Sequence, residues 1–190
     1  VMFYSLRKTA AGKRCLVYAT SDRPDGPYGD PREIYCSGDP GGSVDPQPFT
    51  DPATGTTYLV WTDSGRPGSH GQRIWARPVV LTSPTTVAFT GELTFLLESA
   101  PGWEQYVAEN PSLVRLPDGT LTLFYSGNQW VSHDYATGTA VCSGLGFTFA
   151  PRCTRTGPGP YVNRRAGRGG IGGMTVAPGP GGELLAVSHS

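Results

Sequence analysis

Charge is scarce in this sequence. Asp, Glu, Lys and Arg make up 16% of its 190 residues, and 15 basic against 15 acidic side chains cancel. A polyanion-binding surface needs a basic stripe interleaved with stacking aromatics. Arg164, Arg165 and Arg168 form the one basic cluster, set among Gly and Asn, so no nucleic-acid partner is expected. No apolar run comes near the roughly 20 residues that cross a bilayer, and no membrane partner is expected. Helical periodicity is missing too, since no window of a dozen residues keeps an i, i+3, i+4 apolar stripe free of Gly or Pro. The chain opens on Val1 and a strand-like run instead of a basic and apolar leader, and reads as starting inside a domain.

Turn formers are abundant, with 27 Gly and 18 Pro. Between them recur short runs rich in Val, Leu, Tyr, Phe and Thr, the signature of strands. Strands are expected over Met2 to Leu6, Cys15 to Thr20, Thr57 to Thr62, Arg73 to Pro78, Leu93 to Leu97, Ser112 to Arg115, Leu121 to Ser126, Gly138 to Cys142, Met174 to Ala177 and Leu184 to His189. The chain is therefore all-β. Leu116-Pro117-Asp118-Gly119 and Asp51-Pro52-Ala53-Thr54-Gly55 are turns in which proline presets φ and glycine supplies a positive one. Asp51 and Asp118 are accordingly turn acids.

Cys15, Cys36, Cys142 and Cys153 show no C-x-x-C spacing of a zinc site and fall into two sequence-local pairs. Two short-range disulfides, Cys15 with Cys36 and Cys142 with Cys153, in an exported protein are the preferred reading. Four free cysteines in a cytosolic core are the alternative.

Four segments repeat at intervals of roughly sixty residues: Met2-Phe3-Tyr4-Ser5, Tyr58-Leu59-Val60-Trp61, Leu123-Phe124-Tyr125-Ser126 and Leu185-Ala186-Val187-Ser188. Such an interval suits the four-stranded blade of a β-propeller, whose innermost strands converge on a central axis. Before two of these segments stand Ser43-Val44-Asp45-Pro46 and Ala108-Glu109-Asn110-Pro111. Asp45 precedes Trp61, and Glu109 precedes Tyr125, by the same sixteen residues. Counting the same way in the last unit lands on Ile171, beside Gly172 and Gly173, with no acid. Two carboxylates facing one axial funnel are the expectation; a turn role for Asp45 and a solvated loop charge for Glu109 are the plainer alternative.

At this point the sequence resembles the family 43 glycoside hydrolases, five-bladed β-propellers that cut arabinose- or xylose-containing polysaccharides. Met2 to Ser5, followed by Cys15 to Ser21 and Pro24 to Tyr28, looks like the family's second blade. Ser43 to Trp61 looks like the third, Glu109-Asn110-Pro111 with Leu123 to Ser126 like the fourth, and Gly172 to His189 like the opening of the fifth. The resemblance implies that residues 1–190 are a partial catalytic propeller, from part of blade 2 to the start of blade 5, and a fragment inactive by itself. It implies inverting hydrolysis, with Glu109 as general acid and Asp45 tuning it. The general base, a first-blade aspartate in the family, falls before Val1. Open blades would leave unpaired edges.

Many members place a metal-binding histidine beside the fifth-blade glycine, where this chain reads Gly172-Gly173-Met174. No cofactor or metal ligand is assigned, and a central calcium ion is left open. His70, His133 and His189 are read as structural or solvent residues. Phe49, Trp130, Asn128 and Tyr125 are the expected substrate contacts; Trp61 and Tyr125 also fit blade core, and Trp75, Trp103 and Tyr135 are either core or sugar platforms. The resemblance further implies a secreted protein, monomeric at full length, with a polysaccharide or oligosaccharide substrate. A catalytically silent carbohydrate-binding propeller is the rival, and a fructan-cleaving relative is disfavoured because Val44, not arginine, precedes Asp45.

Overall fold

The computed structural model describes residues 1–8, 12–65, 71–163 and 169–189. These residues form antiparallel sheets and no α-helix. The first sheet is a meander of β1 (Met2–Arg7), β2 (Arg14–Ala19) and β3 (Arg32–Tyr35). The second runs β4 (Ser43–Thr50), β5 (Thr57–Asp63) and β6 (Arg73–Ser83). The long β6 pairs along one half with β7 (Thr86–Phe89) and along the other with β8 (Thr94–Glu98). The third is β9 (Glu109–Arg115), β10 (Leu121–Gly127), β11 (Ala136–Cys142) and β12 (Cys153–Arg155), and β13 (Gly172–Pro178) pairs with β14 (Leu184–His189). The first strand of each later sheet packs on its predecessor: β4 lies against β1, β9 against β4 and β13 against β9. The sheets are thus successive blades with their inner strands side by side.

Alternation along the strands assigns the cores. In β5, Leu59 and Trp61 point into one cluster with Leu16, Tyr18 and Val79, while Val60 points into another with Ile74, Leu97, Leu113 and Leu123. The second blade is therefore apolar on both faces, as a middle layer must be. Burying Trp61, which has no exposed surface, stabilises the stack by about 2–3 kcal/mol.

The expected strands are present, most to within a residue or two; β6 runs on to Ser83, well beyond Pro78, and β9 begins at Glu109, ahead of Ser112. β3, β7 and β12, only three or four residues long, are not expected from the sequence, and neither is the body of β4, where Pro46 and Pro48 read as turn residues. The inner strands also reach further back, so that Asp45 and Glu109 lie within β4 and β9 and not in turns ahead of them. Both disulfides form as paired above: Cys15–Cys36 ties β2 to the segment after β3, and Cys142–Cys153 joins register partners of β11 and β12. Asp51 and Asp118 accept backbone N–H bonds inside their turns, at 3.0 Å from Ala53 and 2.9 Å from Thr120. Asp51 also receives a bidentate Arg115, at 2.7 and 2.6 Å.

The ladders correct the repeat count. In β4 the register slips between Val44 and Gln47, so that Asp45 and Pro46 oppose the single residue Trp61. In β9 the same slip sets Asn110 and Pro111 opposite Tyr125, and in β13 it sets Gly173 and Met174 opposite Ser188. Each is a β-bulge whose first residue is left-handed, with φ of 54° at Asp45, 49° at Asn110 and 61° at Gly173. Asp and Asn tolerate this region better than other side chains, and glycine adopts it freely. Asp45 is therefore equivalent to Asn110, and Glu109 to Val44. The equal spacing of sixteen misleads because the Asp51–Thr56 connection is one residue longer than Leu116–Thr120.

Glu104, in the short 3₁₀ turn Gly102–Glu104, is fully buried and binds three elements at once. Its carboxylate accepts from Arg155 Nε and Nη2 (2.6 and 2.8 Å), from the Tyr125 hydroxyl (2.7 Å) and from the Ala100 N–H (2.6 Å). Removing one partner of a buried ion pair strands the other charge. Arg155→Ala is expected to destabilise the full-length protein by about 3–5 kcal/mol in urea unfolding at neutral pH, and adding Glu104→Gln to recover part of the loss.

Candidate active site

The bulges set the site. A two-for-one bulge re-aims the side chains of its strand; the β4 bulge carries Asp45, the β9 bulge follows directly on Glu109, and both acids line one cavity of about 370 Å³. That volume lies within the range of about 300–1,000 Å³ usual for small-molecule sites. Ser5, Arg14, Ser64, Gln72, Tyr135 and His189 are among the residues that line the cavity with the two acids. Trp130 lies at the margin with 70% of its surface exposed.

The two acids are coupled through the backbone and through one tyrosine. Asp45 Oδ2 accepts the Asn110 N–H at 3.1 Å, and the Asp45 N–H donates to Ser5 Oγ at 3.2 Å. Asn110 Nδ2 donates to the Tyr135 hydroxyl at 2.6 Å, and that hydroxyl donates to Glu109 Oε1 at 3.0 Å. Gln72 supplies a second side-chain hydrogen bond to Glu109, and its Oε1 is engaged by the Ala108 N–H at 2.9 Å. An amide whose oxygen is taken presents its NH₂ to the carboxylate.

These surroundings favour a neutral Glu109. Burial raises its pKa from 4.5 to about 7, the negative charge of Asp45 adds to the rise, and the bonds from Tyr135 and Gln72 draw it part of the way back. Burial also raises Asp45, opposed by the Asn110 N–H and the positive charge of Arg14. Glu109 has a like charge against it and Asp45 an opposite one, so the pair is biased toward a protonated Glu109 beside an ionised Asp45.

The remaining sequence expectations divide. Asp45, Glu109 and Trp130 come together at the cavity. Tyr125 does not, because its ring is buried in the core and its hydroxyl is held by Glu104. Phe49 also belongs to the core, at 8% exposure. Asn128 is a left-handed turn residue (φ 71°) whose Oδ1 caps the Gln129 N–H at 2.7 Å, away from the cavity lining. His189 keeps a structural role, stacking on Tyr135 with centroids 5.5 Å apart and planes at 24°, and it also lines the cavity. Gly172 and Gly173 leave room for these rings, since a Cβ at Gly172 would strike Tyr135 and one at Gly173 would strike His189. The carbonyl of His133 accepts the Gly170 N–H at 2.8 Å, a loop role as expected. His70 and the arginines 164, 165 and 168 lie outside the described residues.

The sequence marks Tyr135 only as core or platform and Asn110 only as part of a motif, and it gives Gln72 and Arg14 no role. Asn110 alone carried a local signal, an Asn before proline at the head of a strand. Among the described residues, one grouping of three metal-capable side chains occurs, Cys15, Glu33 and Cys36, and its sulfurs are spent in a disulfide. With both sulfurs bonded to each other only the Glu33 carboxylate is left, which is too few oxygens for a calcium ion.

The model for Glycosyl hydrolases family 43 matches residues 1–164. The chain belongs to this family. A thermostable family-43 glycoside hydrolase superposes with a TM-score of 0.76 at 22% identity, over 99% of this chain and 61% of that one. An endo-1,4-β-xylanase from Bacteroides thetaiotaomicron gives 0.70 at 23% identity, over 98% of this chain and 64% of that one. An endo-arabinase from the same organism gives 0.70 at 21% identity, over 99% and 65%. This family-43 chain thus shares their fold, as part of a β-propeller, and spans 61% to 65% of their lengths. No curated protein matches it significantly.

A carboxyl with a raised folded-state pKa binds more protons folded than unfolded between the two values, so its contribution to stability falls as pH rises from 4.5 to about 7. Glu109→Gln is therefore expected to stabilise the family-43 protein above pH ~7 by on the order of 2 kcal/mol. The gain should fade below pH ~5, and denaturant titrations of both forms at pH 4.5 and 8 check it.

Proposed function

We propose that the full-length protein is a secreted, inverting glycoside hydrolase acting on arabinose- or xylose-containing plant polysaccharides or their oligosaccharides. Glu109 is its general acid, and Asp45 is the carboxylate that keeps Glu109 protonated. The observation that carries this reading is the raised Glu109, at about 7, beside Asp45 in a cavity where successive blades meet. Family membership supports a glycosidase, and neighbours that include an endo-xylanase, an endo-arabinase and a xylan β-1,4-xylosidase support the substrate class. The two disulfides support export to an oxidising compartment.

In the proposed reaction Glu109 gives its proton to the glycosidic oxygen as the bond from the anomeric carbon to that oxygen breaks. Water attacks the opposite face of the sugar and loses a proton to a general base ~6.5 to 9.5 Å from the acid. That base is assigned to a blade outside these residues. Asp45 raises the proton affinity of Glu109 through its charge, and the Asn110 N–H fixes where that charge sits. Trp130, exposed at the margin, offers its face to the apolar C–H surface of a sugar ring.

In the full-length protein, Glu109→Gln is expected to lower kcat on natural oligosaccharides by roughly 10²–10⁴-fold, with KM little changed and aryl glycosides of good leaving group largely spared. A near wild-type rate on the oligosaccharides would overturn the assignment. Asp45→Asn removes the charge that raises Glu109, so the basic limb of the pH–rate profile should move to lower pH. Wild-type protein that binds oligosaccharides but hydrolyses none is the outcome that favours the carbohydrate-binding propeller.

A further inference from the structure

Tyr135 belongs to the blade core by burial, with no exposed surface, yet its hydroxyl ends at the acid. A tyrosine hydroxyl has one proton to give and two lone pairs to receive with. Here all three are used. Asn110 Nδ2 donates to it at 2.6 Å, and the Ser126 hydroxyl donates to it as well. Ser126 is itself oriented, because its oxygen accepts the Gly173 N–H at 2.8 Å. With both lone pairs filled, the Tyr135 proton has one direction left, toward Glu109 Oε1.

The partners come from two successive blades. Asn110 and Ser126 belong to β9 and β10, Tyr135 leads into β11, and Gly173 is the left-handed bulge residue of β13. His189 stacks on one face of the ring, and the bare Gly172 lies against it. The ring therefore cannot swing its hydroxyl away from the acid.

We propose that Tyr135 is a positioning residue for the general acid. Its one-directional hydrogen bond makes Oε1 the accepting oxygen of Glu109, so the acid's proton is carried on Oε2 and held ready for the departing glycosidic oxygen. The inference rests on the assignment of Glu109 as acid. It adds that the donor's proton is placed by a relay running Gly173, Ser126, Tyr135, Glu109, with Asn110 closing the second lone pair. Besides Tyr135 and Gln72, the charged or titratable groups around Glu109 are Asp45 from β4, Arg14 from β2 and His189 from β14.

The test is Tyr135→Phe in the full-length protein, which keeps the ring between His189 and Gly172 and deletes only the hydroxyl. On substrates with poor leaving groups kcat should fall at least tenfold with KM nearly unchanged, and aryl glycosides with good leaving groups should be little affected. The loss of a bond that favours the ionised form moves the basic limb to higher pH. The limb that vanishes with good leaving groups is that of Glu109, which separates it from any contribution of His189. A merely structural tyrosine would slow both substrates alike and leave the limb in place, and that result overturns the proposal.

If Tyr135→Phe does not fold, Asn110→Gly removes one donor to the hydroxyl while suiting the left-handed backbone. It should shift the limb in the same direction by a smaller amount, and an unmoved limb again overturns the proposal. A near wild-type rate for Glu109→Gln is a different failure, that of the acid assignment itself.

Discussion

The inner strands must bring polar side chains to an axis without breaking the ladders that hold the blades together, and a left-handed residue in a two-for-one bulge meets both demands. It occurs at Asp45, Asn110 and Gly173, each followed by one further unpaired residue and each opposite the second half of the next strand. Only three residue types take this backbone readily, and the chain uses all three. The choice at each bulge decides what the axis receives. Asp45 brings a carboxylate, Asn110 a donor for Tyr135, and Gly173 a bare surface on which His189 rests. Glu109 enters one position earlier, as the last regularly paired residue before its bulge.

Hydroxyls bind one blade to the next at equivalent places. Ser5 accepts the Asp45 N–H, Thr62 donates to the Ala108 carbonyl at 3.3 Å, and Ser126 accepts the Gly173 N–H. The ladders align Val60-Trp61-Thr62 with Phe124-Tyr125-Ser126, one residue later than the repeat of Tyr58 to Trp61, and Phe3-Tyr4-Ser5 ends the same way. The aromatic of the motif fills a blade interior at Trp61 and Tyr125, and the hydroxyl crosses to the neighbour. Structure and site are therefore one device, since the bonds that fix bulge geometry also fix where Asp45 and Glu109 stand.

Much of the fold was legible in the sequence because it rests on local rules. Alternating apolar residues marked the strands, Pro-Asp-Gly marked a hairpin, and the cysteine spacing matched the pairs that form. Asp45, Glu109 and Trp130 were legible as site residues. The equivalence of Asp45 with Glu109 was not, because a one-residue difference in turn length shifts a count that only the hydrogen-bond register resolves. Tyr135 and Gln72 reach Glu109 across 26 and 37 positions of chain, and no local pattern predicts such a meeting. Tyr125 and Phe49 show the converse, since the motifs that carry them line the site while their own rings pack into the core. Glu104 was invisible for a similar reason: an acid in a Gly-Trp-Glu turn looks solvated until Arg155 and Tyr125 are seen to enclose it.

Burying a carboxyl beside a second carboxylate destabilises the fold, and Glu109 beside Asp45 carries that cost where the proposed reaction needs a proton near neutral pH. The central claim is that Glu109 is that proton's carrier because of Asp45. Carboxyl-carbon NMR of the full-length protein, with glutamate side chains labelled and Glu109 assigned by substitution, tests it directly. The account predicts that Glu109 titrates at about 7 in the wild type and at a clearly lower pH in Asp45→Asn. Titration at the ordinary carboxylate value of ~4.3 in the wild type, or a midpoint indifferent to Asp45, would contradict it.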